Sequence, residues 1–197
     1  MPGPVILMAP ESSLQLSLHR PSQEKIPVPQ DHYNIVSCPG FTATPSLFLT
    51  VPSTPSRCLI KVEDIRTKPP YSSSVTVIVE AADSIKIQSE EIVTVGKESS
   101  YRVLLYSKGQ QLEGLPSSLQ VESSFSVDTV LSRLTAKHKG VGFISATYGR
   151  LSARNTVTSY LPIRVLLPSD SLHLPVGETF RLRAVGGSGV YDYHISS

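Results

Sequence analysis

Val75-Thr76-Val77-Ile78-Val79-Glu80 places β-branched residues at five consecutive positions before its first charge. Such side chains are stiff at χ1 and pack well on a pleated surface, so the run reads as a strand largely buried on both faces. Similar segments follow: Ile85-Lys86-Ile87, Ile92-Val93-Thr94-Val95 and Tyr101-Arg102-Val103-Leu104-Leu105-Tyr106. Ala82-Asp83-Ser84, Gly96-Lys97 and Lys108-Gly109 supply turn signals between them. Further candidates are Leu119–Val127, Thr129–Leu134, Val141–Tyr148 and Leu161–Leu167. Short strands at this spacing signal a sandwich or barrel. No segment sustains an i, i+3, i+4, i+7 apolar stripe, so the chain is expected to be all-β.

Composition agrees. Of 197 residues, 43 are Ser or Thr and 17% are charged, which suits short strands and turns better than helices. The length allows one complete domain and part of another. A net charge of +2 is too small to argue for nucleic acid or an acidic membrane surface. No apolar run approaches the ~18 residues that span a bilayer. The opening Met1–Pro10 lacks a basic stretch and is broken by prolines, so it makes a poor signal peptide.

Proline and glycine divide the chain. Twelve of the 16 prolines precede residue 71, and ten of the 12 glycines follow Lys86. Proline removes ladder donors and fixes φ. Residues 1–70 are therefore expected to be a poorly ordered leader or the remnant of a preceding domain, with edge strands at most at Ser46–Val51 and Leu59–Val62. Self-alignment then shows a repeat. Val79–Ile87 with Val95–Val103 matches Val165–Leu174 with Val176–Leu182, and Gly96 and Gly177 lie 81 residues apart. The shared element is strand, Asp-Ser turn, short strand, Val-Gly turn, strand, with the glycine supplying a positive φ in a tight hairpin. This predicts an immunoglobulin-like β-sandwich over 71–166 and the truncated start of a second repeat over 167–197: one near-complete sandwich plus one truncated.

Cys38 and Cys58 leave two states open. An oxidising compartment permits a disulfide closing a loop of about 20 residues, at roughly 3 kcal/mol in the chain-entropy model; otherwise they are two free thiols. Neither has metal spacing, and neither Asn34 nor Asn155 begins a glycosylation sequon.

The unit from Val79 to Val165 resembles a bacterial-type (group 2) immunoglobulin-like domain. The Val-Gly turn leads into an apolar strand, and Lys139-Gly140-Val141-Gly142-Phe143-Ile144-Ser145-Ala146-Thr147-Tyr148 matches that family's closing strand. The chain has no Trp and both cysteines lie outside the repeat, so an antibody-type core is excluded. Two segments extend the resemblance to the nuclear pore membrane glycoprotein 210 family. The joint Tyr160-Leu161-Pro162-Ile163-Arg164-Val165-Leu166-Leu167-Pro168 is similar to its inter-domain linkers. Leu182-Arg183-Ala184-Val185-Gly186-Gly187-Ser188-Gly189-Val190-Tyr191 is similar to its Gly-Gly-Ser-Gly-aromatic turn. The resemblance covers residues 75–197, and that family's signal peptide and membrane helix are not in the chain. It implies an internal piece that is a structural lumenal segment at the nuclear envelope, anchoring and assembling the pore. Its partners would be proteins, including neighbouring copies, with a membrane tether only through other parts and with no nucleic acid, small-molecule substrate or cofactor. The alternative is an extracellular adhesion or binding module of the same domain type. A stack of such sandwiches would serve as a semi-rigid rod.

Chemistry is hard to find. Gly186-Gly187-Ser188-Gly189-Val190 nearly spells a nucleophile elbow, but Val190 replaces the last glycine and no strand-to-helix turn is expected. It reads as a turn. His19, His32, His138, His173 and His194 are scattered. His138 lies in the basic turn Lys137-His138-Lys139, read as a solvated loop with a ligand patch as the less favoured alternative. His194 follows Asp192 with no nucleophile beside it. Glu63-Asp64 and Glu90-Glu91 are adjacent pairs whose side chains diverge on a strand. The aspartates are too dispersed for calcium. No catalytic, cofactor or metal residue is assigned, and the chain is expected not to be an enzyme. Tyr101, Tyr106, Tyr148 and Tyr160 are candidates for partner contact, although half-covered strand residues are the simpler reading.

Overall fold

A computed structural model describes residues 4–17, 32–66, 68–69, 71–167 and 173–194. Every regular element among them is a strand. By contacts the chain divides into two compact units. One is Met1–Lys86 with Val103–Gln120 and Ala146–Ala153; the other is Ile87–Arg102 with Val121–Ser145 and Arg154–Ser197.

Seven strands of the first unit form a sandwich: β1 (Val5–Met8), β2 (Ser12–Gln15), β3 (Tyr33–Val36), β4 (Thr42–Ala43), β5 (Phe48–Thr50), β6 (Ser56–Asp64) and β7 (Tyr71–Val79). One sheet runs β1-β7-β6-β3 and the other contains β2-β5-β4. β6 and β7 pair antiparallel from Ser56↔Val79 to Asp64↔Tyr71, and β1 lies parallel to β7 from Val5↔Thr76 to Met8↔Val79. Third strand beside sixth, sixth beside seventh, and second-fifth-fourth opposite is the immunoglobulin order. Along β6, Cys58, Ile60 and Val62 are buried while Arg57, Leu59 and Lys61 are exposed. That is the period-two alternation of a sheet wet on one side. Met8, Phe41, Leu49, Val51, Cys58, Ile60, Val77 and Val79 form the core, each large aliphatic contributing about 1.5–3 kcal/mol by leaving water.

This corrects the expectation for residues 1–70. They are not a poorly ordered leader where they are described, and the chain does not divide at 70/71. Val75–Glu80 carries the last strand of the first sandwich instead of opening the next one. The proline argument fails because Pro39, Pro45, Pro52 and Pro55 all fall between strands, where no ladder donor is required. The count of one near-complete repeat plus one truncated repeat therefore leaves out this first sandwich. Pro21, Pro27 and Pro29 lie outside the described residues.

The order recurs in β8 (Ser84–Ser89), β9 (Ile92–Thr94), β10 (Glu98–Ser107), β11 (Gln110–Leu112), β12 (Leu115–Pro116), β13 (Gln120–Ser123), β14 (Ser126–Asp128), β15 (Arg133–Thr135), β16 (Gly140–Tyr148) and β17 (Leu151–Tyr160). One sheet runs β13-β16-β17-β9; in the other β10 pairs with β8 and β15, and β14 flanks β15. β9 lies parallel to β17, as β1 does to β7. In the second unit Ile87, Val93, Tyr101, Leu134, Ala136, Ile144 and Val157 are buried. Within the first unit, β12 pairs with β2 and the Glu113 amide donates to the Leu7 carbonyl, so the 110–117 segment belongs to the sheets built on β1 and β2. The all-β, immunoglobulin-like reading therefore stands.

Beyond β17, β18 (Arg164–Leu166) pairs antiparallel with β19 (Arg183–Val185). Shifted by the 81-residue spacing of Gly96 and Gly177, β19 falls within β10 and β18 at the start of β8, two strands that also pair. One turn lies at the same point of each copy, and Cys38–Phe41, with Gly40 at 83°, adopts it at a different point of the first sandwich. The amide of its fourth residue donates to the carbonyl of its first: Ser12 to Ala9, Lys97 to Thr94, and Glu178 to Pro175. The third residue has a positive φ each time: Glu11 at 59°, Gly96 at 80° and Gly177 at 89°. Gly96 joins strands of opposite sheets, so this turn is not the hairpin that the Val-Gly pair suggested. The Asp-Ser turn proposed at Ser169-Asp170-Ser171 lies outside the described residues.

Candidate functional surface

The acidic pairs are occupied. The Asp64 carboxylate meets the Arg66 side chain at 2.6 Å, and the hydrogen bonds and charge of Arg66 pull its pKa down to about 2. Glu63 lies 2.6 Å from Lys61 Nζ and is held below the usual carboxylate range, chiefly by that hydrogen bond and then by Asn34. Glu90 and Glu91 are exposed between β8 and β9, where the Glu91 carbonyl accepts the Thr158 amide at 2.8 Å. No pair converges across a cleft.

The histidines are separate. His194 Nε2 lies 3.2 Å from an Asp192 carboxylate oxygen, with both side chains more than four-fifths exposed, so the pair is a surface contact. His32 Nδ1 meets Arg66 at 3.3 Å. His173 is exposed, as is His138, whose carbonyl accepts the Ser159 hydroxyl at 2.7 Å. His19 lies outside the described residues, among which no cluster of three metal-binding side chains occurs. Among them, too, no helix is long and apolar enough to cross a membrane.

The two segments that carry the family resemblance come together. The Gly187 amide donates to the Leu161 carbonyl at 2.8 Å, and the Tyr191 hydroxyl closes the turn onto the Gly186 carbonyl. A Cβ at Gly186 would sit 2.1 Å from the Pro162 carbonyl oxygen, so only glycine permits this approach. The Ser188 hydroxyl interacts with its own turn, at the Val190 amide. The segment is a turn locked onto the joint, not a nucleophile elbow.

The four tyrosines are mostly covered. Tyr101 is buried, and its hydroxyl is pushed up by that burial and then by Asp128. Tyr106 is half-buried with Lys86 Nζ 5.2 Å from its ring centroid. The Tyr148 hydroxyl donates to the Pro10 carbonyl at 3.3 Å, and Tyr160 is half-buried. Tyr71 and Tyr193 are the more exposed aromatics, and no sequence pattern marked them.

Cys38 and Cys58 are disulfide-bonded, with Cα atoms 5.7 Å apart. The bridge ties the segment after β3 to the buried face of β6. Cys58 alternates inward with Ile60, and Cys38 reaches it from the end of the neighbouring strand β3.

In the second unit a basic cleft of about 380 Å³ is walled by Ser124–Ser126 and Lys137–Lys139, with Gly140–Gly142 at its base.

No protein-family model matches the chain, and no curated protein matches it. Among solved structures, domains 4 and 5 of the S-layer protein SbsC are 16% identical, with 73% of this chain and 78% of that chain covered and a TM-score of 0.32. A longer SbsC structure gives 13%, 81%, 26% and 0.35 for the same quantities, and invasin, a bacterial integrin-binding protein, gives 10%, 82%, 41% and 0.33. The chain thus spans about a quarter of the longer SbsC and two-fifths of invasin. Its fold is assigned from its own strand order and registers, not from these likenesses.

Proposed function

We propose that this chain is a non-catalytic segment of a tandem immunoglobulin-like array in an oxidising compartment, serving as a structural and protein-binding module. The observation that carries this reading is the strand order of β1 to β7 recurring in β8 to β17, with one turn at the same point of each copy, at Ala9–Ser12, Thr94–Lys97 and Pro175–Glu178. The disulfide supports the compartment, because such bonds persist outside the reducing cytosol.

An extracellular adhesion or binding module fits the modular fold and the disulfide together. A lumenal segment of the nuclear pore membrane glycoprotein 210 family is favoured by a different observation. The joint at Leu161–Pro162 and the Gly-Gly-Ser-Gly turn, the segments resembling that family, form one hydrogen-bonded motif. Antibodies against the whole chain, applied to intact and then to permeabilised cells, separate the settings. Label on intact cells supports adhesion, and a nuclear rim coincident with pores supports the lumenal reading. A cytosolic signal with Cys38 and Cys58 reduced overturns both.

A further inference from the structure

We infer that the basic cleft of the second unit is a strand-pairing site for an extended acidic peptide. Its base is the start of β16. β13 ends at Ser123, and the corner at Ser124 is the last contact on that side: the Ser124 amide donates to the Phe143 carbonyl at 3.0 Å, and its hydroxyl accepts the Phe143 amide at 2.8 Å. Gly140, Val141 and Gly142 extend beyond that corner. On an antiparallel strand the N–H and C=O of one residue point to the same side, and those of the residue two positions away follow. Phe143 turns both groups toward β13, so Val141 turns its N–H and C=O into the cleft, one donor and one acceptor at an unpaired edge.

The corner is fixed by close packing. A Cβ at Gly142 would lie 2.3 Å from both the Phe125 ring and the Ser124 hydroxyl, so only glycine lets the corner residues pack this closely on the strand. The opposite wall is held by Ser159, only 1% exposed, whose hydroxyl donates to the His138 carbonyl at 2.7 Å and lies 3.1 Å from the Gly140 carbonyl oxygen. That anchor sets Lys137 and Lys139 beside the strand edge. No carboxylate lines the cleft, and one residue past Gly142 the Arg154 guanidinium lies 3.9 Å from the Phe143 ring centroid. A main-chain edge supplies affinity for any extended peptide, while fixed positive charge selects an acidic one. The site stands in either cellular setting.

The test uses the whole chain, ¹⁵N-labelled, with the octapeptide Glu-Val-Glu-Val-Glu-Val-Glu-Val, its Lys-Val counterpart and sodium sulfate as probes. The Glu peptide is expected to bind and the Lys peptide not. The exposed-loop variant K137E/K139E should weaken binding by ~10-fold or more, given the strength of steering by close charges. Hydrogen exchange at the Val141 amide should slow on addition of the Glu peptide. Unchanged affinity in K137E/K139E, unchanged exchange at Val141, or full displacement of the peptide by equimolar sulfate each overturns the proposal.

Discussion

Glu11 and Gly96 occupy the same place in two copies of one turn, and they show how the two sandwiches differ. In the second, glycine takes the positive φ without steric cost. In the first, glutamate takes it at 59°, where its Cβ crowds the following carbonyl. The first sandwich instead carries a disulfide from Cys38 to Cys58, a constraint the second lacks. One topology is thus held in two ways, by a covalent link with a strained turn and by a relaxed turn without the link.

Core truncation in the matching strands should give the largest effect. Ile60 on β6 and Ile144 on β16 are both fully buried, so Ile60→Ala and Ile144→Ala should each cost about 2–5 kcal/mol in urea denaturation. A negligible cost for Ile60→Ala would break the equivalence of the two cores. Next, Cys38→Ala/Cys58→Ala should cost roughly 3 kcal/mol, read as a lower denaturation midpoint for the first sandwich only. An equal shift in the second would contradict the separate anchoring.

Substitutions in the turns should have smaller effects. Gly96→Ala should cost about 1–2 kcal/mol from backbone strain alone, since the added Cβ meets nothing within 4 Å. Glu11→Gly should stabilise by about 0.5–1 kcal/mol. The same sign for both substitutions in thermal melts would show that the two turns are not equivalent.

The smallest effect is electrostatic. Arg66 holds the Asp64 pKa at about 2, below its unfolded value, so the ion pair contributes fully above the unfolded pKa. That contribution is lost as pH falls toward about 2. The melting temperature of Asp64→Asn should therefore fall less between pH 5 and pH 2 than that of the unmodified chain. Parallel curves would show that the Asp64–Arg66 pair does not stabilise the fold.

The same contrast explains what was legible in the sequence. Gly96 and Gly177 announce a repeat because the turn uses the residue its φ favours. Glu11 hides the first copy, since nothing about a glutamate signals a left-handed backbone. β1 to β5 are two to four residues long, too short to establish a period, and prolines in their connections resemble a break in structure. The β-branched run of β7 marks a strand but not the sandwich it joins, because pairing with β6 is a tertiary fact. The basic turn at Lys137–Lys139 was visible. Its cleft was not, because the opposite wall arrives from Ser124–Ser126 and depends on the missing side chain of Gly142. Tyr101 shows the converse: its type suggested contact, and alternation on β10 buries it.

The strands from Val5–Met8 to Tyr71–Val79 form a sandwich with the same order as the one that follows. Hydrogen exchange of the whole chain, resolved by peptide, is the decisive measurement of that equivalence. Slow exchange is expected across Ser56–Asp64 and Tyr71–Val79, comparable with Gly140–Tyr148 and Leu151–Tyr160. Rapid exchange throughout residues 4–64, with protection beginning only near residue 71, would contradict it.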